Sequence, residues 1–246
     1  MNISDQIATP LSVTPVAPKE FVYSTTTPTP IVKKPTELLP LYNDKNPMLT
    51  QKQPEFDIND SPVNVIDFAN QLLHTMNHYG GAGLAAPQCG FPYRMFVMAG
   101  GIVCINPVIV ESSKETSFGK EGCLSFPGLY LSTTRPATVR IKYTDEFGKR
   151  VEATWTGATA RVAQHELNHL DGIVFTSLVG NLTLSMAKKK RDKMFKKIKR
   201  YVAAKEQHLR ITGKDKDYAK TRTETPTHMT YQNQPATTAV LSNREN

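Results

Sequence analysis

Gln164-His165-Glu166-Leu167-Asn168-His169 contains the pattern HExxH, and no other feature of the 246-residue chain constrains its fold as tightly. On a helix, residues four apart lie on one face, so His165 and His169 can present both imidazoles to one metal ion. Glu166, one step round, can reach a water on that ion. With six histidines in the chain, the pattern is expected by chance only about 0.007 times, so an ordinary helix is a poor account of it.

A metal site needs a third protein ligand. One metalloprotease pattern continues as HExxHxxGxxH; here Gly172 falls in place, but Phe175 stands where the third histidine would be. Thermolysin-like enzymes take a glutamate from a downstream helix. No glutamate occurs between Glu166 and Glu206, and Glu206 lies beyond a basic helix. Upstream, Glu121-Gly122-Cys123-Leu124-Ser125 offers a thiol in a Gly-flanked loop. Alone, such a cysteine is more often a buried structural residue. Beside an HExxH with no other partner, Cys123 is the candidate ligand, giving a Cys/His/His set with a fourth position open. A third element, Gly81-Ala82-Gly83-Leu84-Ala85-Ala86-Pro87-Gln88, lets another backbone approach closely and supplies the Gln88 amide. It follows a helix and carries no lysine, which argues against a phosphate loop.

Periodicity organises the rest. Val63 to His78 reads as a helix with Ile66, Ala69, Leu72, Leu73 and Met76 on one face, stopped by Gly80-Gly81. Strand-like runs follow at 95–99, 102–110, 138–145 and 151–157, with a hairpin turn at Glu146-Phe147-Gly148-Lys149. A helix from Ala158 to Leu170 ends at Asp171-Gly172, with glycine at its C-terminal boundary. The last helix is periodic from about Leu182 to Lys205, inside a basic segment assigned to 181–211. The order does not alternate as βαβ units do. The expected class is α+β, with mixed or antiparallel sheets packed around a central HExxH helix and a basic helix at the C-terminal side.

Residues 1–36 are Thr/Pro-rich and 212–246 polar, so both are expected to be disordered arms flanking a catalytic domain at 37–180. No run approaches the roughly 18 apolar residues of a membrane helix. The start lacks a basic stretch followed by an apolar run, and no arginine occurs through residue 40. A cytoplasmic location is therefore expected, organellar import being the alternative. Three cysteines make no disulfide scaffold. Cys89 and Cys104 read as core residues, His74 and His78 as surface or packing residues, and Trp155 as packing.

Together the three motifs resemble the peptide deformylase family: GAGLAAPQ at 81–88, EGCLS at 121–125 and QHELNH at 164–169 stand in the family's order, and the likeness spans about 37–180. Asn168 departs from a common aspartate, and Tyr130 from an arginine near the substrate mouth of many bacterial members. Phage-encoded relatives with brief bodies are one source such a chain fits. The resemblance implies removal of the formyl group from N-formylmethionyl peptides by a hydroxide on a metal held by Cys123, His165 and His169. It implies Glu166 as general base and acid, with Gln88 and the Leu124 N–H as oxyanion donors. Substrate contacts are implied at Gly83, Leu84, Glu121, Gly122 and Val162. The implied metal is Fe2+, with Ni2+, Co2+ or Zn2+ as substitutes in purified protein, and a ferrous thiolate site is expected to fail in air.

The net charge is +8, and Lys188 to Arg200 alone carries nine Lys/Arg against one Asp, so the rest of the chain is balanced. Met194, Phe195 and Ile198 keep helical spacing within that strip, continued by Tyr201 and Val202. Three uses fit: a docked terminal helix with solvated lysines, a membrane-surface helix, or a ribosome contact through rRNA phosphates near the tunnel exit, the last suggested by the family.

Overall fold

A computed structural model describes residues 37–212. The arm expected at 1–36 and nearly all of the tail expected at 212–246 lie outside the described residues. A 3₁₀ turn at Pro47–Thr50 precedes α1 (Val65–His78), β1 (Gly83–Ala85) and a 3₁₀ turn at Ala86–Cys89. Then come β2 (Met95–Met98), β3 (Ile102–Ser112), β4 (Thr116–Gly122), β5 (Tyr130–Pro136), β6 (Thr138–Thr144) and β7 (Arg150–Thr156). The chain continues through α2 (Gly157–Leu170), a 3₁₀ turn at Phe175–Leu178 and α3 (Asn181–Ile211). This is the expected α+β arrangement, and every strand pairing is antiparallel. Five strands form one sheet in the order β1-β2-β3-β6-β7, and β4 pairs with β5 in a second.

The Asn64 side chain caps α1 by accepting from the Asp67 N–H at 3.0 Å. Phe68, Ala69, Leu72 and Met76 are its buried face, while Ile66, expected there, is exposed. That face meets Leu84, Met95, Val97 and Ile105, and Cys89 is buried in the same cluster. Asn106 interrupts β3 with φ +50°. Its side chain accepts from Phe56 N–H and donates to Phe56 C=O, both at 2.8 Å, pinning the incoming segment to the sheet.

Helix α2 packs Ala160, Ala163, Leu167 and Leu170 on Phe96, Met98, Cys104, Val139 and Ile141. Small residues in its first turns let it lie close to the sheet, which buries its second half. Its end is clamped: Gly172 has φ +71° and a Cβ there would stand 2.7 Å from the Gln51 backbone. Gln53 N–H also donates to Leu170 C=O at 2.8 Å. Both metal-type histidines therefore stand on a helix held at its sheet face and its end. The start of α3 is seated by Leu184 and Ala187 against Phe126, Leu129, Leu131 and Phe175. Among the described residues no helix is long and apolar enough to cross a membrane.

Strands β4 and β5 had no counterpart in the sequence reading. Leu131, Thr133 and Arg135 alternate inward along β5, and Glu121 faces inward on β4. With three of those four polar, the apolar alternation that reveals a half-buried strand is absent.

Candidate metal centre and active site

His165 and His169 project from one face of α2, their ring centroids 5.1 Å apart. Cys123, just past the end of β4, brings its Sγ to 3.2 Å from His169 Nε2. One donor atom from each of the three lies within 4.8 Å of the others. Ligand bonds of about 2.0–2.3 Å fit among donors at that spacing. Among the described residues this is the one such His/Cys/Asp/Glu group. The donor set, two imidazoles and a thiol, suits a borderline divalent ion and leaves a coordination position open.

The surroundings orient these donors. His165 Nδ1 is 3.1 Å from Glu121 Oε2. A carboxylate only accepts, so Nδ1 carries the hydrogen and Nε2 is directed to the thiol side. Glu121 is itself gripped by Arg135, whose Nε donates to Oε1 at 2.6 Å and Nη2 to Oε2 at 2.9 Å. Arg161 Nη1 donates to Oε1 at 2.7 Å, and the Thr133 hydroxyl donates to the same oxygen. Burial pushes the Glu121 carboxyl up, but the bonds from Arg135, His165 and Thr133 outweigh it and hold it far below the usual range. Arg135 also donates to Asn168 Oδ1 at 2.7 Å.

The two histidines respond oppositely to this setting. Burial pushes His165 down, yet hydrogen bonds to Cys123 and Glu121 outweigh it and lift it to about 10. Burial, then His165 and Arg135, drives His169 well below its ordinary value. Two imidazoles and a thiol with donor atoms within 4.8 Å of one another form a donor set for a cation. The residues present fit a divalent metal.

Glu166 is buried, and its Oε2 has no hydrogen-bond partner among the described residues. Burial pushes its carboxyl up to about 7. It lies over Gly83, where a Cβ would stand 2.5 Å from Glu166 Oε1, so a side chain at this position would displace the carboxylate. Gln88 is turned by its own loop: Ala85 N–H donates to Oε1 at 2.9 Å, which aims Nε2 at Ser125 Oγ (3.2 Å) and Cys123 Sγ (3.4 Å).

These groups share a cavity of about 690 Å³, lined on its inner side by Gly83, Gln88, Cys123, His165 and Glu166. A sequence profile of the polypeptide deformylase family matches residues 38–184. The chain belongs to this family. A peptide deformylase of Fusobacterium nucleatum is 38% identical over 157 residues, covering 62% of this chain and 90% of that protein. The crystal structure of a peptide deformylase from Legionella pneumophila superposes with a TM-score of 0.60 at 33% identity, covering 66% of this chain and 98% of that one. That from Thermotoga maritima does so with a TM-score of 0.56 at 35% identity, covering 58% and 99%. The chain is thus a hydrolase of deformylase type.

Most of the residues that the resemblance implies stand at the cavity. Gly83, Gly122, Leu124 and Val162 line the cavity with Gln88, Cys123 and His165, and His169 is buried on α2. Leu84 and Glu121 have buried side chains. The Leu84 side chain is wholly buried in the core against α1, because β1 is inserted beneath that helix, and Leu84 is not among the cavity-lining residues. Glu121 also lines the cavity, with its carboxylate engaged by Arg135, Arg161, Thr133 and His165. Tyr130 stands exposed at the cavity mouth, with Lys120 Nζ 4.5 Å from its ring centre. The residues overlooked were Arg135 and Arg161. Arg161 precedes His165 by four positions and shares its helix face, a spacing the sequence offers; nothing in the sequence marks Arg135.

Proposed function

We propose that the chain removes formate from N-formylmethionyl peptides by metal-dependent hydrolysis. The observation that carries this reading is the convergence of Cys123, His165 and His169 beside an unpartnered, buried Glu166 in a cavity walled by glycines. An ion held by those three donors would supply Lewis-acid activation of the formyl group and of a water, and the thiolate donor suits ferrous iron. Glu166, with its carboxyl raised to about 7, is poised near neutral pH to take a proton from the attacking water and pass it to the departing amine. The Gln88 amide and the Leu124 N–H face the developing oxyanion, and their rigid loops keep that arrangement set before reaction. Gly83 and Gly122 leave room for an extended peptide backbone.

The deciding test is metal content and formyl-Met-Ala-Ser turnover on one anaerobic sample. Release of formate in proportion to bound metal supports the reading; cleavage of internal peptide bonds instead would make the chain an endopeptidase. Gln88→Ala removes one oxyanion donor while leaving Cys123, His165 and His169 in place. It should lower kcat by about 10²–10³-fold with metal content unchanged; a wild-type kcat would remove Gln88 from the mechanism.

The lysines and arginines of Lys188 to Arg200 are nearly all exposed on α3. We assign them to contact with rRNA phosphates in a cytoplasm that starts translation with formylmethionine. Pelleting with ribosomes at low salt and release at high salt are expected; pelleting indifferent to salt and to charge reversal of these lysines would reject the contact.

A further inference from the structure

The cavity holding the metal-type donors has an outer wall that the proposed chemistry does not use. Three side chains of α3, Met194, Phe195 and Ile198, line it together with Pro127, Gly128 and Tyr130. They continue the inward stripe that begins with Leu184 and Ala187, so the same helix face first anchors on the body and then overhangs the mouth. The overhang is built into the loop beneath. Gly128 has φ +67°, and a Cβ there would stand 2.8 Å from Met194 Cε and 3.0 Å from Phe195 Cζ. The tips of Met194 and Phe195 occupy the space that a side chain at this position would fill.

Met194, Phe195 and Ile198 are left 40%, 40% and 49% exposed. Their apolar surface is covered on the body side and open on the cavity side. Meanwhile the inner end is closed by buried His165, Glu166 and Gln88. A peptide whose formyl end reaches those residues shares one cavity with the α3 wall. The volume of about 690 Å³ is in the range of roughly 300–1,000 Å³ that accepts drug-sized ligands, well beyond one methionine side chain.

We propose that Met194, Phe195 and Ile198 form an apolar subsite for the side chains that follow the formylated methionine, making α3 a determinant of peptide preference. This rests on the formyl-peptide reading above. The wall is continuous with the reacting groups and is apolar on its cavity side, while the helix's charges lie elsewhere. It therefore selects substrates whose second and third residues are large and apolar.

The test compares formyl-Met-Leu-Leu with formyl-Met-Ser-Ser, on the full chain and on a Met194→Ser, Phe195→Ser, Ile198→Ser variant. The full chain should favour the apolar peptide by about tenfold in kcat/KM, the difference lying in KM. The triple variant should lose that preference, Phe195→Ala alone should lose part of it, and Phe195→Leu should restore it. The single variants keep the test decisive should the triple one fail to fold. A flat preference in the wild type overturns the subsite, as does a triple variant that keeps the wild-type preference. A flat preference together with a dimer that the serine substitutions dissolve assigns the stripe to a second copy of the chain. Turnover of neither peptide would refute the formyl-peptide reading itself, whereas turnover of both at equal efficiency refutes only the subsite.

Discussion

Glu166→Gln is expected to keep its metal and lose about 10²–10⁴-fold in kcat, the usual contribution of a positioned general base. The three metal-type donors are oriented without Glu166: His165 by Glu121, His169 by the buried face of α2, and Cys123 by its loop beside Gln88. Removing the charge should therefore leave metal content at the wild-type level, measured on the same sample as turnover. The same substitution should stabilise the metal-free protein, because a buried carboxylate oxygen with no partner costs about 1–3 kcal/mol. The sign of its pH dependence is fixed by burial. The folded carboxyl is raised to about 7, above its unfolded value, so the wild type loses stability as pH rises from the unfolded value through 7. The advantage of Glu166→Gln should be small in acid, grow across that window and level off above it. Chemical denaturation of metal-free protein at several pH values reads this directly. A variant that is no more stable at pH 8 than at pH 4 would mean that the carboxyl finds a partner on the solvent side. Wild-type turnover with metal bound would assign the proton transfer elsewhere.

What the sequence revealed and what it hid divide along one physical line. Helix α2 was legible because its metal-type pair keeps a four-residue spacing and Gly172 marks its end; the expected start at Ala158 differs from the observed Gly157 by one residue. Strands β2, β3, β6 and β7 were legible because their inward residues are apolar, as Val139 and Ile141 are on β6. Strands β4 and β5 were hidden because their inward residues serve the site. Register sets Leu131 opposite Glu121, with Thr133 two residues along the same face, so a carboxylate, a hydroxyl and a guanidinium occupy places that valine or isoleucine would otherwise mark. The ion-pair role of Glu121 was hidden for the same reason. Its neighbour in the chain, Cys123, faces the cavity, while its partners in space come from β5 and α2. Of those partners, Arg161 alone sits at a spacing that helix geometry could have flagged. The overhang of α3 was half legible. Met194, Phe195 and Ile198 stood out as a stripe, but what they face depends on Gly128, some 66 positions earlier than Met194.

Glu121→Ala should be among the most destabilising substitutions in the chain, and its effect should reach the metal. One carboxylate is the counter-charge shared by Arg135 and Arg161, which are respectively 6% and 14% exposed in their side chains. Taking it away leaves both guanidinium groups buried without a counter-charge, a loss of about 3–5 kcal/mol. For a domain of this size that corresponds to a fall in Tm on the order of 10 °C. The depressed Glu121 carboxyl implies that this stabilisation is present above the unfolded carboxyl pKa and is lost as pH falls through the folded one. Wild type and Glu121→Ala should therefore converge in strong acid. His165 loses the acceptor that fixes its Nδ1–H, so metal affinity should drop about 10–100-fold. Glu121→Gln separates the two effects, since its amide oxygen can still accept from His165 while the charge is gone. It should retain most of the metal affinity and little of the stability. Replacing Glu121, Arg135 and Arg161 together with apolar residues of similar size should give the opposite combination. Stability should return, because no buried charge is left unpaired, and metal affinity should stay low, because nothing orients His165. If the triple replacement recovered both, Glu121 would be a folding element alone; if Glu121→Ala left Tm and metal affinity unchanged, the buried network would contribute to neither.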